Sequence, residues 1–548
     1  MKYLFTLLLL LLSAVSSALP AMQPLQYRFR VYLSDKGESG YSLAEPEKFL
    51  TEKAIERKKR QAVVIDASDL PISPDYFTLV EKTGATVVTY SKWMQTLTVQ
   101  VADSLKIDQL LTLPFVDSVK YVWRGTGYSY HHSMRPRLEM MESIDTGASE
   151  NLFGFTEDQF SIHNAEQLAL AGFRGKGIDV AVIDAGFTNF DVIPLFSSVN
   201  MRGWKNFVPE GDIFASSDHG TKVLSTMATN QPGLLMGSAP EADYWLLRSE
   251  DVTSEFPVEE DYWVRAVEYA DSLGVDVINS SLGYNHFDDK LLNYTHADLT
   301  GDVSIMSIAA DMAYEKGMLV VVSAGNEGNK PWQKSTPPGD AKNVLTVGSV
   351  GTDSLISSFS SHGITADGRI KPDLVSVGSL TFTIGQEGLI GFTSGTSLSS
   401  PFLAGLAASL WSINPDLHRS ELTGIILASS DRYALPDSVY GHGIPDFQKA
   451  MTKVLSQLKV EEDTVTVDDF TFSRPSQNNL FITLTAPIFS VDAYQVNLLA
   501  ESGRLIAAYT FEKEQLHIVV PPSVRETEQF LHLVFITPFT QRTIRIKM

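Results

Sequence analysis

The residues best suited to chemistry lie in four short segments. Ser397 stands in Phe392-Thr393-Ser394-Gly395-Thr396-Ser397-Leu398-Ser399-Ser400-Pro401. The apolar run from Phe402 to Trp411 predicts a helix, and Pro401 suits its first turn, where a missing N–H costs nothing. Ser397 then sits at or near a helix N-terminus, where backbone N–H groups point at an arriving anion. That suits a nucleophile whose attack creates an oxyanion, and Gly395 permits close backbone approach. His219, in Asp218-His219-Gly220-Thr221-Lys222-Val223, precedes an amphipathic stretch and can act as a base. Asp184 ends the buried-strand signal Val180-Ala181-Val182-Ile183 and can orient that base. Asn326, in Val321-Val322-Ser323-Ala324-Gly325-Asn326-Glu327-Gly328, follows a second such strand into a glycine loop. Its amide can donate to an oxyanion. Taken singly, each segment also reads as ordinary structure: a turn-capping Asp, a structural His, a turn Asn, a Ser/Thr-rich cap. Taken together they make a nucleophile, a base, an orienting acid and an oxyanion donor, the parts of acyl transfer.

Chain order separates the readings. The order Asp184, His219, Ser397 is one of the three known for this triad. The four segments resemble the motifs of the subtilisin-like serine peptidases (subtilases): Asp-Ser/Thr-Gly, His-Gly-Thr-His-Val, an Asn-bearing glycine loop, and Gly-Thr-Ser-x-Ser/Ala-x-Pro. The resemblance implies an endopeptidase in which Ser397 attacks the scissile carbonyl and His219 shuttles the proton. Asp184 would hold the imidazole, and Asn326 with the Ser397 N–H would hold the oxyanion. It further implies that Ser281, Leu282 and Gly283, in Asn279-Ser280-Ser281-Leu282-Gly283, pair with an extended peptide, and that Ala324 and Gly325 help line the pocket for the residue before the bond. Two positions depart from the pattern. Ala185 replaces a Ser or Thr, removing one hydrogen bond, and Lys222 replaces the second histidine. His362 is assigned no catalytic part. An alternative is a non-enzymatic surface or adhesive protein on a decayed peptidase core, which the intact set of four disfavours. An esterase or lipase would carry Gly-x-Ser-x-Gly and the order Ser, Asp, His; here Ser399 stands where the final glycine would be.

The elements that must position these residues follow from periodicity. Val180–Ile183, Val275–Ile278, Leu319–Val322 and Val344–Val347 are short apolar runs, with helical patterns between them over Asp261–Leu273 and Ile305–Lys316. That alternation predicts an α/β core of parallel strands with crossover helices over about 155–455, catalytic groups lying at the strands' carboxyl ends. Residues 25–125 read as a small α+β unit: a strand at Tyr27–Tyr32, a helix over Pro46–Gln61, and strands at Thr86–Tyr90 and Thr96–Val101. The basic run Arg57-Lys58-Lys59-Arg60 reads as a solvated helix face. This unit occupies the position of a subtilase prodomain, which implies a zymogen blocked by its own N-terminal region. Residues 126–154 read as a linker carrying His131 and His132, read as solvated. After Leu458, seven short strand signals (464–467, 480–484, 493–499, 505–510, 516–520, 530–536, 543–546) predict a β-sandwich over 460–548. Its sequence pattern loosely resembles the C-terminal sorting sandwiches of Bacteroidetes secretion substrates, and a generic accessory sandwich fits equally.

Composition narrows the setting. The 548 residues are 44% hydrophobic and carry a net charge of −22, which disfavours nucleic acid as a partner. There is no cysteine, so disulfides, thiolate catalysis and cysteine-ligated metals are excluded. Lys2, the apolar run Tyr3–Leu12 and the small residues Ser16 and Ala18 read as a signal peptide over 1–18, cleaved after Ala18. The run is shorter than a bilayer span, so the expectation is a secreted or cell-surface protein with no transmembrane segment after signal removal. Its expected partners are polypeptide substrates and its own prodomain. No cofactor is required; calcium is compatible with the family, with no ligands assigned.

Overall fold

The computed structural model describes residues 25–126, 135, 138, 151–461, 463–488 and 490–548. The signal-like residues 1–18 and the linker histidines His131 and His132 lie outside these. The N-terminal region forms a four-stranded antiparallel sheet from β1 (Leu25–Leu33), β2 (Thr86–Ser91), β3 (Thr96–Val101) and β4 (Val116–Thr126), in the order β2-β3-β1-β4. The helix expected over Pro46–Gln61 is broken. A single 3₁₀ turn covers Pro46–Lys48, and helix α1 runs only over Glu52–Arg60. Thr51 makes the break, because its extended backbone and its side chain, which accepts from the Ala54 N–H, form an N-cap.

The centre is a seven-stranded sheet. Its strands are β5 (Asp179–Asp184), β6 (Asn200–Asn206), β7 (Asp243–Arg248), β8 (Val277–Ser280), β9 (Leu319–Ser323), β10 (Leu345–Val350) and β11 (Leu374–Val377), in the order β11-β10-β9-β8-β5-β7-β6. Every neighbouring pair is parallel. The chain winds first to one side of β5 and then, from β8 onward, to the other. The switch leaves a crevice at the carboxyl ends of β5 and β8. Alternate strand side chains feed two cores. Val180, Val182 and Val321 pack with helices α2 (His219–Ala228) and α5 (Thr396–Trp411). Ala181, Ile183 and Val320 pack with α3 (Val258–Leu273) and α4 (Ile305–Glu315). This is the α/β architecture of parallel strands and crossover helices that the sequence pattern predicts. A hairpin of β12 (Thr381–Ile384) and β13 (Ile390–Thr393) leads directly into α5.

The tail is a sandwich of two antiparallel four-stranded sheets, so eight strands stand where seven were expected. The additional strand is Phe470–Ser476, whose Phe470 and Phe472 are fully buried. Arg474 and Pro475 near its end obscure the alternation. The sandwich has its own apolar core, while Leu499 and Val534 reach into the core of the α/β unit.

The basic run of α1 is not the solvated face its composition suggests. Arg57 and Lys58 are fully buried. Lys58 reaches Asp271 of α3 at 2.8 Å and Asp69 at 3.2 Å, Arg57 bonds the same Asp271, and Arg60 reaches Asp276 at 2.6 Å. On β1, Arg30 makes a two-pronged contact with Asp261, both bonds 2.7 Å. Glu268 accepts from the Ser91 hydroxyl and the Lys92 and Trp93 N–H groups. Asp261 and Asp271 of α3, with Asp276 just beyond it, thus take up Arg30, Arg57, Lys58 and Arg60, and local composition carries no trace of these partners more than two hundred residues away.

Candidate active site

Each predicted catalytic side chain is delivered by the end of an element. Asp184 is the last residue of β5 and is fully buried. Its Oδ1 accepts from the Ala185 N–H at 2.8 Å and lies 2.7 Å from His219 Nδ1. Its Oδ2 is buried without a protein partner among the described residues, in keeping with the missing hydroxyl at Ala185. His219 is the first residue of α2, at the helix start expected for it. Gly220 matters here. A Cβ at that position would lie 2.4 Å from the Gly186 carbonyl and 3.0 Å from Asp184 Cβ, so only glycine lets α2 come this close.

Electrostatics set the state of the imidazole. Burial lowers its pKa, but the Asp184 carboxylate opposes this through charge and hydrogen bond, with smaller help from Glu250 and Asp218, and together they push it up to about 9. The ring is 39% exposed. Solvent at that edge screens the pair. Lys222 turns to Asp218 at 2.7 Å, away from the pair.

Ser397 lies in the first turn of α5. The helix begins at Thr396, five residues before Pro401, so Pro401 is inside it rather than in its first turn. The consequence is local. Pro401 has no N–H to give the Ser397 carbonyl four residues back. The Ser281 hydroxyl donates to that carbonyl instead, at 2.9 Å. Ser281 is in turn held by Asn279 Nδ2 at 3.2 Å, and Asn279 Oδ1 accepts from Ser400 at 2.7 Å. The Ser397 hydroxyl points to the Ser281 carbonyl at 3.4 Å, and no bond to His219 is formed.

Asn326 lies beyond the end of β9. Its Oδ1 accepts from the Thr396 N–H at 2.9 Å and hydroxyl at 3.1 Å, which leaves Nδ2 free to donate elsewhere. A Cβ built on Gly395 would sit 3.7 Å from both Asn326 Nδ2 and Ser397 N. Both nitrogens thus lie within van der Waals reach of the open side of Gly395. Gly325, at φ +101°, makes the turn that aims Asn326, and its N–H bonds the Thr396 hydroxyl at 3.1 Å. Ala324 is fully buried behind it. Ser281 and Leu282 are buried, while Gly283 is exposed with no hydrogen bond to its backbone among the described residues. His362 turns to the Ser360 carbonyl, outside this group. Sequence reading missed the orienting role of Thr396 and the Ser281–Pro401 arrangement. A proline four residues after a candidate nucleophile was the available signal.

Residues 175–443 match the family model "Subtilase family", and residues 28–135 match "Peptidase S8 propeptide domain, Bacteroidota". The chain is 30% identical to subtilisin E of Bacillus subtilis over 291 residues, covering 52% of this chain and 68% of that protein. It is 29% identical to the subtilisin of Bacillus pumilus, covering 52% of this chain and 95% of the relative. Among solved structures, the epidermin leader peptide processing serine protease of Staphylococcus aureus superposes with a TM-score of 0.53 at 17% identity, over 80% of this chain and 100% of that one. That last likeness speaks for the fold alone.

Proposed function

The chain belongs to the subtilase family of serine endopeptidases, made with an N-terminal propeptide region, and on that premise we propose that Asp184, His219 and Ser397 are its catalytic triad and Asn326 its oxyanion donor. One observation carries this reading: a buried carboxylate 2.7 Å from a histidine Nδ1, with a serine in the first turn of a helix and the Asn326 amide nitrogen on the open side of the glycine just before that helix. In the reaction Ser397 Oγ leaves its long contact with the Ser281 carbonyl and attacks the substrate carbonyl carbon. Its proton passes to His219 Nε2, and Asp184 stabilises the imidazolium that forms. The oxygen that gains charge enters the space between Asn326 Nδ2 and Ser397 N. His219 then gives the proton to the departing amine, and water repeats the cycle to release the acyl group. Preorganised donors of this kind act without reorganising during the step.

Ser281, Leu282 and Gly283 are proposed to pair with the substrate backbone, since Gly283 offers free backbone groups along the crevice. Ala324 and Gly325 are proposed to border the adjacent side-chain pocket. Export is supported by the signal-like pattern over 1–18, and among the described residues no helix is long and apolar enough to cross a membrane. The region over 25–125 is proposed as the inhibitory prodomain, 126–154 as the linker cut on activation, and the sandwich over 460–548 as an accessory domain for sorting or stability. The test is a peptide-cleavage assay with three proteins. Ser397→Ala is expected to fall to background. Asn326→Leu is expected to lose about 100- to 1,000-fold in kcat with little change in KM. Unchanged cleavage by either variant overturns the assignment.

A further inference from the structure

A groove of about 640 Å³ opens at the far edge of the central sheet, away from the crevice. Its size falls within the ~300–1,000 Å³ of ligand sites. Three stretches of chain meet there. The loops after β10 and β11 supply Leu355 and Leu380, the hairpin β12–β13 supplies Phe382 and Phe392, and the chain entering the α/β unit supplies Phe155 and Gln159. Strand β11 is the edge strand and β10 its neighbour, while the crevice lies between β8 and β5. The two places are three strand spacings apart, roughly 14 Å. The groove is apolar and open. Phe155 stacks on Phe382 with ring centroids 5.1 Å apart, and Phe382 meets Phe392 at 4.3 Å. Yet Phe392 is 62% exposed, Leu355 63% and Leu380 71%. Large apolar side chains gathered in solvent on one groove mark an interaction site, unlike the scattered exposure of an ordinary surface. Leu380 adds backbone strain. Its φ is +51°, a left-handed conformation that a bulky residue rarely adopts. Glycine, or at times Asn or Asp, visits it readily. Leucine there costs stability and gains no burial within this chain, so a partner that covers it accounts for its presence.

The polar groups of the groove fix the partner's chemistry. Gln159 is 3% exposed. Its Oε1 accepts from the Phe382 N–H at 2.9 Å, which leaves Nε2 a buried donor with no partner among the described residues. A donor in that state is costly, and an acceptor brought by a partner relieves it. Asp158 and Asp353 stand exposed on the rim, and neither pairs with a Lys, Arg or His among the described residues. The groove thus offers apolar surface, one unpaired donor and two free carboxylates. A peptide complements all three, through an apolar side chain, a backbone carbonyl and a basic neighbour. The groove is also tied to the loop that carries Ser397. The Leu380 N–H donates to Ser394 Oγ at 2.9 Å, and the Gly395 N–H to the Gly378 carbonyl at 2.8 Å. A chain seated here is therefore held near the nucleophile without entering the crevice.

We propose that this groove is an exosite: it docks an apolar residue followed by Lys or Arg in a polypeptide substrate, remote from the bond that is cut. The proposal rests on the peptidase reading above, because the docked chain is the one cleaved. Docking outside the crevice makes the cleavage of a long substrate an intramolecular event and leaves a short one untouched.

The test uses the active enzyme, tail in place, and one short quenched peptide. Two longer substrates join that peptide, at one end or the other, to a Phe-Leu-Arg-Lys motif through a Gly/Ser spacer of about 12 residues, which reaches roughly 19 Å. The motif is expected to raise kcat/KM on the order of 10-fold at one end, mainly through KM. Free motif peptide is expected to abolish that gain and leave cleavage of the short peptide unchanged. Leu380→Asn, which relaxes the backbone, is expected to keep Tm and short-peptide cleavage while cutting the gain to within about twofold. Asp158→Asn/Asp353→Asn is expected to reduce the gain by about two- to threefold. If the motif gives no gain at either end, or the gain survives Leu380→Asn, the exosite is refuted and the peptidase reading stands. A dimer in sedimentation that Leu380→Asn dissociates, with no gain from the motif, makes the groove a contact between copies and refutes the exosite equally. If the short peptide is not cut and a fluorophosphonate does not label Ser397, the peptidase reading fails and this proposal with it.

Discussion

Arg57 enters the α/β core as a guanidinium, and Leu499 enters it as a hydrocarbon. Both belong to regions packed on the same unit, one N-terminal and one C-terminal. The N-terminal region docks through buried ion pairs on α3, with Trp93 and Trp123 as apolar anchors. The tail docks through Leu499 and Val534, backed by neutral bonds such as Asn497 to the Ala171 carbonyl at 2.9 Å and His532 to the Leu455 carbonyl at 3.2 Å. The difference concerns separability. A face of charges is well solvated once its partner leaves, whereas a face of hydrocarbon is not. The first chemistry suits a region that must come off, and the second one that stays.

Cutting the charged interface is expected to give the largest effect. Arg57→Met removes one of two cations on Asp271, and breaking a buried pair from one side typically costs about 3–5 kcal/mol. The low end, about 3 kcal/mol, applies because Lys58 remains 2.8 Å from Asp271. Amide hydrogen exchange in β1–β4 should report this as faster opening, with β8 and β9 unaffected.

Acid attacks the same contact. Although burial raises it, Lys58 and Arg57 hold the Asp271 carboxyl below its ordinary 3.8. A carboxylate depressed in the folded state gives stability that is complete above its unfolded value and lost as pH falls through the folded one. Glu260 and Asp276 are raised, chiefly by burial, so mild acid relieves rather than strains them. The N-terminal region should thus stay docked from pH 7 to about 4 and loosen only below that. Loosening at pH 5–6, seen by the same exchange experiment, would contradict the assignment.

On the other side, Val534→Ala should loosen the tail by about 2 kcal/mol, leaving exchange in β1–β4 and the cleavage rate unchanged. Lys176 donates to the Thr537 carbonyl at 2.9 Å from a half-buried position. Lys176→Ala should cost about 0.5–1 kcal/mol, the smallest of the set. If it rivals Arg57→Met, the contrast between the two interfaces is wrong.

The contrast also explains what could be read from the chain alone. The proposed triad and Asn326 could be picked out because each sits in a short contiguous segment with a glycine beside it: Gly220 lets the start of α2 approach Asp184, and Gly325 makes the turn at Asn326. The parallel core was legible because apolar runs such as Leu319–Val322 need no distant partner to be recognised. The burial of Arg57 and Lys58 was not legible, since four adjacent cations look solvated until Asp271 is brought to them by the fold. The start of α5 was misplaced because proline usually opens helices, and only the Ser281 hydroxyl reveals how the chain accommodates one further in. Phe470–Ser476 was missed because Arg474 and Pro475 interrupt a pattern that the facing sheet completes.

The most direct test of the central claim is covalent. The active protein is treated with a fluorophosphonate and the adduct located by peptide mass spectrometry. The account predicts a single adduct on Ser397, lost in His219→Ala. An adduct on a different serine, or none in protein whose N-terminal region has been removed, would contradict it.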